Sequence, residues 1–268
     1  MDTRFWGPSG WKLFHLIAFE YDDSKQSSAP VAAFLETLPY ILPCKFCRSS
    51  LTDYYRQHPV QTHLDHRTMK KWMFTIHNCV NEKLRSQGLH PAPNPTFSSV
   101  KDVYEDIRKQ SWDSQLSLVW NFLFAVAYDH PKESSSHTKP MPDCPKDVMR
   151  CKDDREKNKW NVLSCKKRKE WFRRFWSLLP VVLPGEIGRR WKIQEKNTPA
   201  TLECRRSTLA WLWRMRCGLD TTFHDPYTST CQSISRYSSD CGTSRGSITC
   251  RKKHKSRRTK TMKKTKTK

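Results

Sequence analysis

The chain has 268 residues, 36% of them hydrophobic and 12% aromatic, enough for one large core or two modest ones. Eleven tryptophans exclude a disordered chain, and eleven cysteines in no regular framework point to redox or mixed use rather than a disulfide-stapled scaffold. The net charge of +23 is uneven: residues 1–110 hold 14 Lys or Arg against 11 Asp or Glu, leaving 35 against 15 beyond them, so the basic excess belongs to the C-terminal part.

Taken in chain order, Met1-Asp2-Thr3-Arg4 leads into aromatic residues without the apolar core of a secretory signal. A turn-rich Trp6-Gly7-Pro8-Ser9-Gly10-Trp11 precedes Trp11, Phe14, His15, Ala18 and Phe19, whose spacing predicts an amphipathic helix with a histidine on its apolar face. Val31, Phe34, Leu35 and Leu38 repeat that spacing in a second helix predicted to stop near Pro39. A third is predicted to begin at Pro43 and to carry Cys44, Cys47, Leu51, Tyr54 and Tyr55. After a His-rich connector, Met69, Trp72, Met73, Ile76, Val80 and Leu84 mark a fourth helix that ends at the C-cap signal Gly88. Ser98 or Ser99 is read as the cap of a shorter fifth helix with Val100, Val103, Tyr104 and Ile107 inward. No strand pattern interrupts this, so the expected fold is all-α: a four-helix bundle with a fifth helix across it.

The chemistry gathers at Pro43-Cys44-Lys45-Phe46-Cys47. At a helix start, unpaired N–H groups and the positive end of the macrodipole favour a thiolate, which makes Cys44 the more acidic, attacking thiol. Cys47, three residues on, shares its face and is within reach of a disulfide. On spacing alone the pair reads equally as half of a zinc site. With His63 and His66 it completes C-x2-C-x15-H-x2-H, and beside a charge of +23 this gives the alternative reading, a zinc-stabilised nucleic-acid binder. That spacing leaves His15, His77 and Asn81 unexplained. His77 and Asn81 share one helix face beside the apolar stripe. Together with His15 and several tryptophans they suit a planar heteroaromatic cofactor at the mouth of the bundle.

Trp6, Trp11 and His15 as W-x4-W-x3-H, then P-C-x-x-C at 43–47, then Trp72, His77, Asn78, Val80 and Asn81 as W-x4-H-N-x-V-N, resemble the Erv/ALR family of FAD-linked sulfhydryl oxidases in order and spacing. The resemblance covers residues 5–108. It implies a flavin-linked thiol oxidase in which a protein dithiol reduces the Cys44–Cys47 disulfide, electrons pass to FAD, and dioxygen leaves as hydrogen peroxide. It implies that Cys44 is the interchange cysteine and Cys47 the one beside the flavin, and that Trp11, His15, Tyr21, His77, Asn78, Asn81 and Lys83 contact FAD. A homodimer is implied as well. Against the family pattern, no second C-x16-C pair precedes Cys144, the loop at residues 85–96 is long, and Cys79, read as a buried small residue, fills a variable position.

Beyond residue 110 no family is recognised. Trp112, Leu116, Val119, Trp120, Leu123, Phe124 and Ala127 form one helical stripe, Trp160 to Trp176 interleaves aromatic with basic residues, and a last helix is expected from about Leu202 to Cys217. The expected division is therefore 1–110 as the oxidase-like domain, 111–225 as a basic, Trp-rich, mainly helical domain, and 226–268 as a Ser/Cys segment with a basic tail. Cys231, Cys241 and Cys250 are candidates for a shuttle or for structural disulfides, and Cys144 with Cys151 for another pair. The last 18 residues hold eleven Lys or Arg and no acid, which suits salt-dependent contact with a polyanion such as nucleic acid. No apolar run reaches the roughly 18 residues of a membrane span. An oxidase core joined to an unfamiliar basic domain looks like the members encoded by large DNA viruses. That placement implies virion proteins as substrates and the host cytoplasm or virion as location, with the mitochondrial intermembrane space as the other compartment.

Overall fold

The computed structural model describes residues 1–24, 27–89, 92–132 and 139–238. Among the described residues every regular element is helical. Helix α1 (Thr3–Glu20) starts earlier than its apolar spacing suggests because Asp2 caps it, accepting from the Arg4 N–H at 2.9 Å, and Pro8 is carried inside the helix. Helix α2 (Ser28–Ile41) runs two residues past Pro39. Helix α3 (Lys45–Gln57) begins after Cys44 rather than at Pro43. Helix α4 (His66–Ser86) opens on Asp65, which accepts from the N–H groups of Arg67 and Thr68. It closes at Gly88 with φ +67°, where the Leu89 N–H reaches back to the Leu84 carbonyl at 2.8 Å. Thr96, not Ser98 or Ser99, caps helix α5 (Phe97–Arg108).

The single stripe expected after residue 111 is two helices, α6 (Trp112–Ser117) and α7 (Trp120–Tyr128). The break lets α7 lie against α1, where the Ser9 hydroxyl accepts from the Phe122 N–H at 3.0 Å and a Cβ on Gly10 would touch the Phe122 ring. Helices α8 (Asp154–Lys159), α9 (Cys165–Val182), α10 (Gly185–Asn197), α11 (Arg205–Leu219) and α12 (Tyr227–Arg236) follow.

Helix α1 packs on α4 and α5, and α3 on α2 and α4, giving the bundle its frame. The C-terminal helices join it closely. Helix α9 lies along α2, with Tyr40 stacked on Trp171 at 4.0 Å and Phe34 on Phe175 at 5.2 Å. Helix α8 covers α3, and α11 covers α7. Trp120, Trp191 and Trp211 are fully buried within the same apolar cluster as Leu13, Phe34 and Leu35, so most aromatic residues of α9 to α11 are core, with Trp171 and Trp213 partly buried against it. The end of α12 returns to the start of α1, where the Tyr237 carbonyl accepts from the Asp2 N–H at 2.8 Å and its ring stacks on Phe5. Among the described residues no helix is long and apolar enough to cross a membrane.

Candidate functional site

Cys44 is the N-cap of α3. Its extended backbone (φ −144°, ψ 118°) turns the sulfur back over the first turn, where it accepts from the Cys47 N–H at 3.3 Å. A cap position is where the orphan N–H groups of a helix converge, so the cysteine that precedes the helix gains the stabilisation expected for one inside its first turn. Burial works against the Cys44 thiolate. The Cys47 thiol and backbone N–H, both donating to its sulfur, outweigh this with help from nearby cationic groups and bring Cys44 down to about 7. The Cys47 thiol is pushed well up, first by its bond to Cys44 and then by burial. The two sulfurs therefore differ in kind: one is poised to ionise, the other holds its proton.

Both cysteines line a cavity of about 540 Å³ between α1, α3 and α4. Its walls are mainly apolar and aromatic, including Trp6, Trp11, Phe14, Tyr55 and Tyr104. Arg4, Lys12 and Lys83 also line it, and among the described residues no carboxylate does. Two wall residues hold buried polar atoms without a protein partner, a donor at Trp6 Nε1 and an acceptor at Gln87 Oε1. Arg4 is held by Asp2, which leaves Lys12 and Lys83 as the wall's cations free of an acid among the described residues. Aromatic faces, unspent donors and acceptors, and such cations are what a flavin dinucleotide requires for its ring, its ring edges and its diphosphate.

The candidate cofactor residues distribute unevenly. Trp11, His77, Asn81 and Lys83 line the cavity. The Trp11 and His77 rings stack at 3.9 Å and 11°, and the Lys83 ammonium donates to the Ser50 hydroxyl. His15 lies one layer behind, buried, bonded through Nε2 to His77 Nδ1 at 3.0 Å and stacked on Tyr104. Asn78 is on α4 outside the cavity wall. Tyr21 is elsewhere: it lines a second cavity of about 400 Å³ with Lys70 and Arg108, and its hydroxyl donates to the Leu64 carbonyl at 2.7 Å. Cys79 is half-buried rather than buried. Trp6 and Gln87 belong to the wall although sequence reasoning assigned them no site role. Trp6 is legible in the W-x4-W spacing, whereas nothing in the sequence marks Gln87, the residue just after α4.

The zinc reading is corrected. His66 is committed to Asp23, with Nδ1 2.6 Å from Oδ1, and neither His63 nor His66 reaches the cavity that holds Cys44 and Cys47. Among the described residues no group of three or more His, Cys, Asp or Glu side chains is placed to hold a metal ion. Cys144, Cys151 and Cys231 are present as thiols, and Cys241 and Cys250 lie outside the described residues.

Residues 8–101 match the model of the Erv1 / Alr family. A putative FAD-linked sulfhydryl oxidase of Invertebrate iridescent virus 6 is 32% identical over 92 residues, which cover 31% of this chain and 83% of that protein. The chain belongs to the Erv1 / Alr family. Among its other relatives, the mitochondrial FAD-linked sulfhydryl oxidase ERV1 of Saccharomyces cerevisiae is 29% identical over 114 residues, 42% of this chain and 54% of the yeast protein. A probable FAD-linked sulfhydryl oxidase of Acanthamoeba polyphaga mimivirus is 28% identical over 85 residues, 30% of this chain and 59% of the viral protein. The chain thus spans little more than half the length of these two relatives. No solved structure matches it. The Erv1 / Alr match ends within α5, and the helices from α6 onward lie outside it.

Proposed function

We propose that the protein is a flavin-dependent sulfhydryl oxidase that makes disulfides in protein substrates. The observation that carries this reading is the sharing of one cavity by a low-pKa cysteine, its partner, and an aromatic wall lined with cations. FAD, when bound there, supplies the two-electron acceptor between the dithiol and dioxygen. The names of the relatives support that choice of cofactor.

The residues divide the work by their environments. A substrate thiolate attacks the Cys44 sulfur of the Cys44–Cys47 disulfide, and Cys47 leaves as a thiolate. The substrate's second thiolate then attacks its own sulfur in the mixed disulfide, and Cys44 leaves with the electron pair. The substrate loses two electrons and two protons and gains one S–S bond. Cys44 suits the exchanging role because its thiolate is the better leaving group. Cys47, the more exposed of the two sulfurs and a lining residue of the cavity, suits the role beside the cofactor. Trp11 and His77 offer a stacked face, and Asn81 and Lys83 offer donors at the rim. His15 fixes the ring of His77. Tyr21 and Asn78 lie away from this wall and make no direct contribution in this reading.

Dioxygen as final acceptor with hydrogen peroxide as product, and a homodimer as the working form, complete the proposal. Virion proteins as substrates, in host cytoplasm or virion, belong to the proposal because relatives come from large viruses, and the relative named mitochondrial in yeast leaves the mitochondrion as the other compartment. The basic residues 251–268 would add salt-dependent contact with polyanions. The absorbance spectrum of the purified protein is the test. A flavin band that bleaches under dithiothreitol once oxygen is exhausted, with peroxide formed in air and turnover lost in Cys44→Ser and Cys47→Ser, is the expected result. A colourless protein that FAD does not convert to an oxidase would sink the reading.

A further inference from the structure

Directly after the second cysteine comes Arg48, a cation that is 3% exposed on the first turn of α3. A buried guanidinium is costly unless its donors are spent and its charge is met. Here Nη1 donates to the Leu42 carbonyl at 2.7 Å and lies 3.5 Å from the Asp129 carboxylate, and Nη2 donates to Asn161 Oδ1 at 2.7 Å. The same Asp129 oxygen lies 3.5 Å from Arg168, so one carboxylate sits between two buried guanidinium groups.

This arrangement is directed at the redox turn. Leu42 is the C-cap of α2, and its carbonyl fixes the direction in which Pro43 and Cys44 leave that helix. Arg48 thus grips the turn from α3, on the side away from the cavity. What grips Arg48 in turn comes from residues 129–168, beyond the family match. Asn161 holds a left-handed backbone (φ 61°) and donates through Nδ2 to the Lys139 carbonyl at 2.8 Å. Asn158, on α8, donates to the Pro39 carbonyl at 2.8 Å and lies 3.4 Å from the Thr52 hydroxyl. That hydroxyl in turn donates to the Arg48 carbonyl at 2.8 Å.

We propose that Arg48 is a positioning residue for the Cys44 thiolate, and that Asp129 and Asn161 hold it so that the C-terminal helices set the reactivity of the dithiol. The inference rests on the reading of Cys44 as the exchanging thiol. The groups that act on Cys44 are Cys47, Arg48, Lys45 and the Met1 ammonium, which donates to the Pro43 carbonyl; Lys83 faces Cys47, and Lys139 faces Lys45. Of the residues that hold Arg48, Asn161 is neutral, so its removal tests geometry with every charge left in place.

The experiment is a titration of the Cys44 13Cβ resonance in the reduced full-length protein, assigned with Cys44→Ser. Asn161→Gly keeps the left-handed backbone and removes the acceptor. Arg48→Lys keeps the charge and removes the two-pronged grip. Each is expected to raise the Cys44 midpoint by about half a unit, roughly a threefold fall in the ionisation constant and about a twofold loss of thiolate at neutrality. A folded Asn161→Gly and a folded Arg48→Lys that both titrate like the unmodified protein overturn the proposal. So does an Asn161→Gly chain that fails to fold, since its role is then structural. The titration needs neither flavin nor turnover, so an unshifted Cys44 in a yellow, active protein defeats this inference alone, and a colourless protein that FAD does not convert to an oxidase, with Cys44 shifted in both variants, defeats only the oxidase reading.

Discussion

His15 on α1 and His77 on α4 share one hydrogen bond, Nε2 to Nδ1 at 3.0 Å. One ring donates and the other accepts, so the pair is complete only while the accepting nitrogen is unprotonated. Burial, and then the neighbouring His77, hold His15 down at about 3. An unfolded His15 takes a proton near 6.5 and the folded one does not, so the folded state loses stability as pH falls from 6.5 toward 3. The loss from this group is roughly 1.4 kcal/mol per pH unit within that window. His15→Gln, which can still bond His77, is expected to flatten this part of the stability curve. Urea unfolding at pH 6.5 and pH 5 measures it, and an unchanged slope would show that the pair does not govern acid sensitivity.

The position of Cys44 depends on Cys47. Cys47→Ala deletes the thiol donor and leaves the backbone N–H, so Cys44 is expected to move from about 7 toward its ordinary value of 9.0. The stability that the Cys44 thiolate contributes is fully present above pH 9 and is lost as pH falls through about 7, and this variant narrows that window. The readout is the pH profile of reaction with a small aromatic disulfide, whose midpoint should rise by about one unit. A midpoint that stays put would assign the low value to the helix start and its cations alone.

The bundle and its redox turn were legible because their signals are local. Apolar residues at helical spacing gave α1 to α5, and C-x-x-C behind a proline placed the sulfurs at a helix start. Most errors at that level were of one to three residues and came from caps, but α1 begins eight residues before the expected Trp11 because Gly7, Pro8 and Gly10, read as a turn, are carried inside it. Asp2, Cys44 and Thr96 each extend or trim a helix through a side chain that spacing does not register. The tertiary consequences were not legible. Nothing local shows that Arg48 is buried, because the two side chains that hold it, Asp129 and Asn161, lie more than 80 residues away. The interleaved aromatic and basic residues of α9 left open which face is core. Tyr40 and Phe34 of α2 decide it by stacking on Trp171 and Phe175.

Gly188 fixes the start of α10 against the end of α9. A Cβ there would lie 2.7 Å from the Leu183 carbonyl oxygen, a backbone atom that cannot swing aside. Gly188→Ala is therefore expected to destabilise the protein by about 1–3 kcal/mol, since the α9–α10 corner has to open. Gly7→Ala, where a Cβ meets nothing within 4 Å, is the control. Thermal unfolding separates them, and equal melting temperatures would show that the corner yields freely.

Gln87 offers the cleanest probe of what the cavity accepts. Its Oε1 is buried without a protein partner while the residue lines the wall that also holds Cys47. An acceptor left so costs free energy in the protein alone and returns it only when a ligand donor arrives. Methionine has nearly the same length and no hydrogen-bonding head. Gln87→Met is therefore expected to leave the cofactor-free protein as stable as before, or slightly more so. The FAD-loaded protein is expected to lose about 0.5–1.5 kcal/mol of binding, a fall of roughly twofold to twelvefold in affinity. Thermal unfolding of the stripped protein and fluorescence titration with FAD give the two numbers. If FAD binds the variant as tightly as the unmodified protein, the Gln87 amide does not touch it, and the dinucleotide lies nearer Trp11 and His77 than to the end of α4.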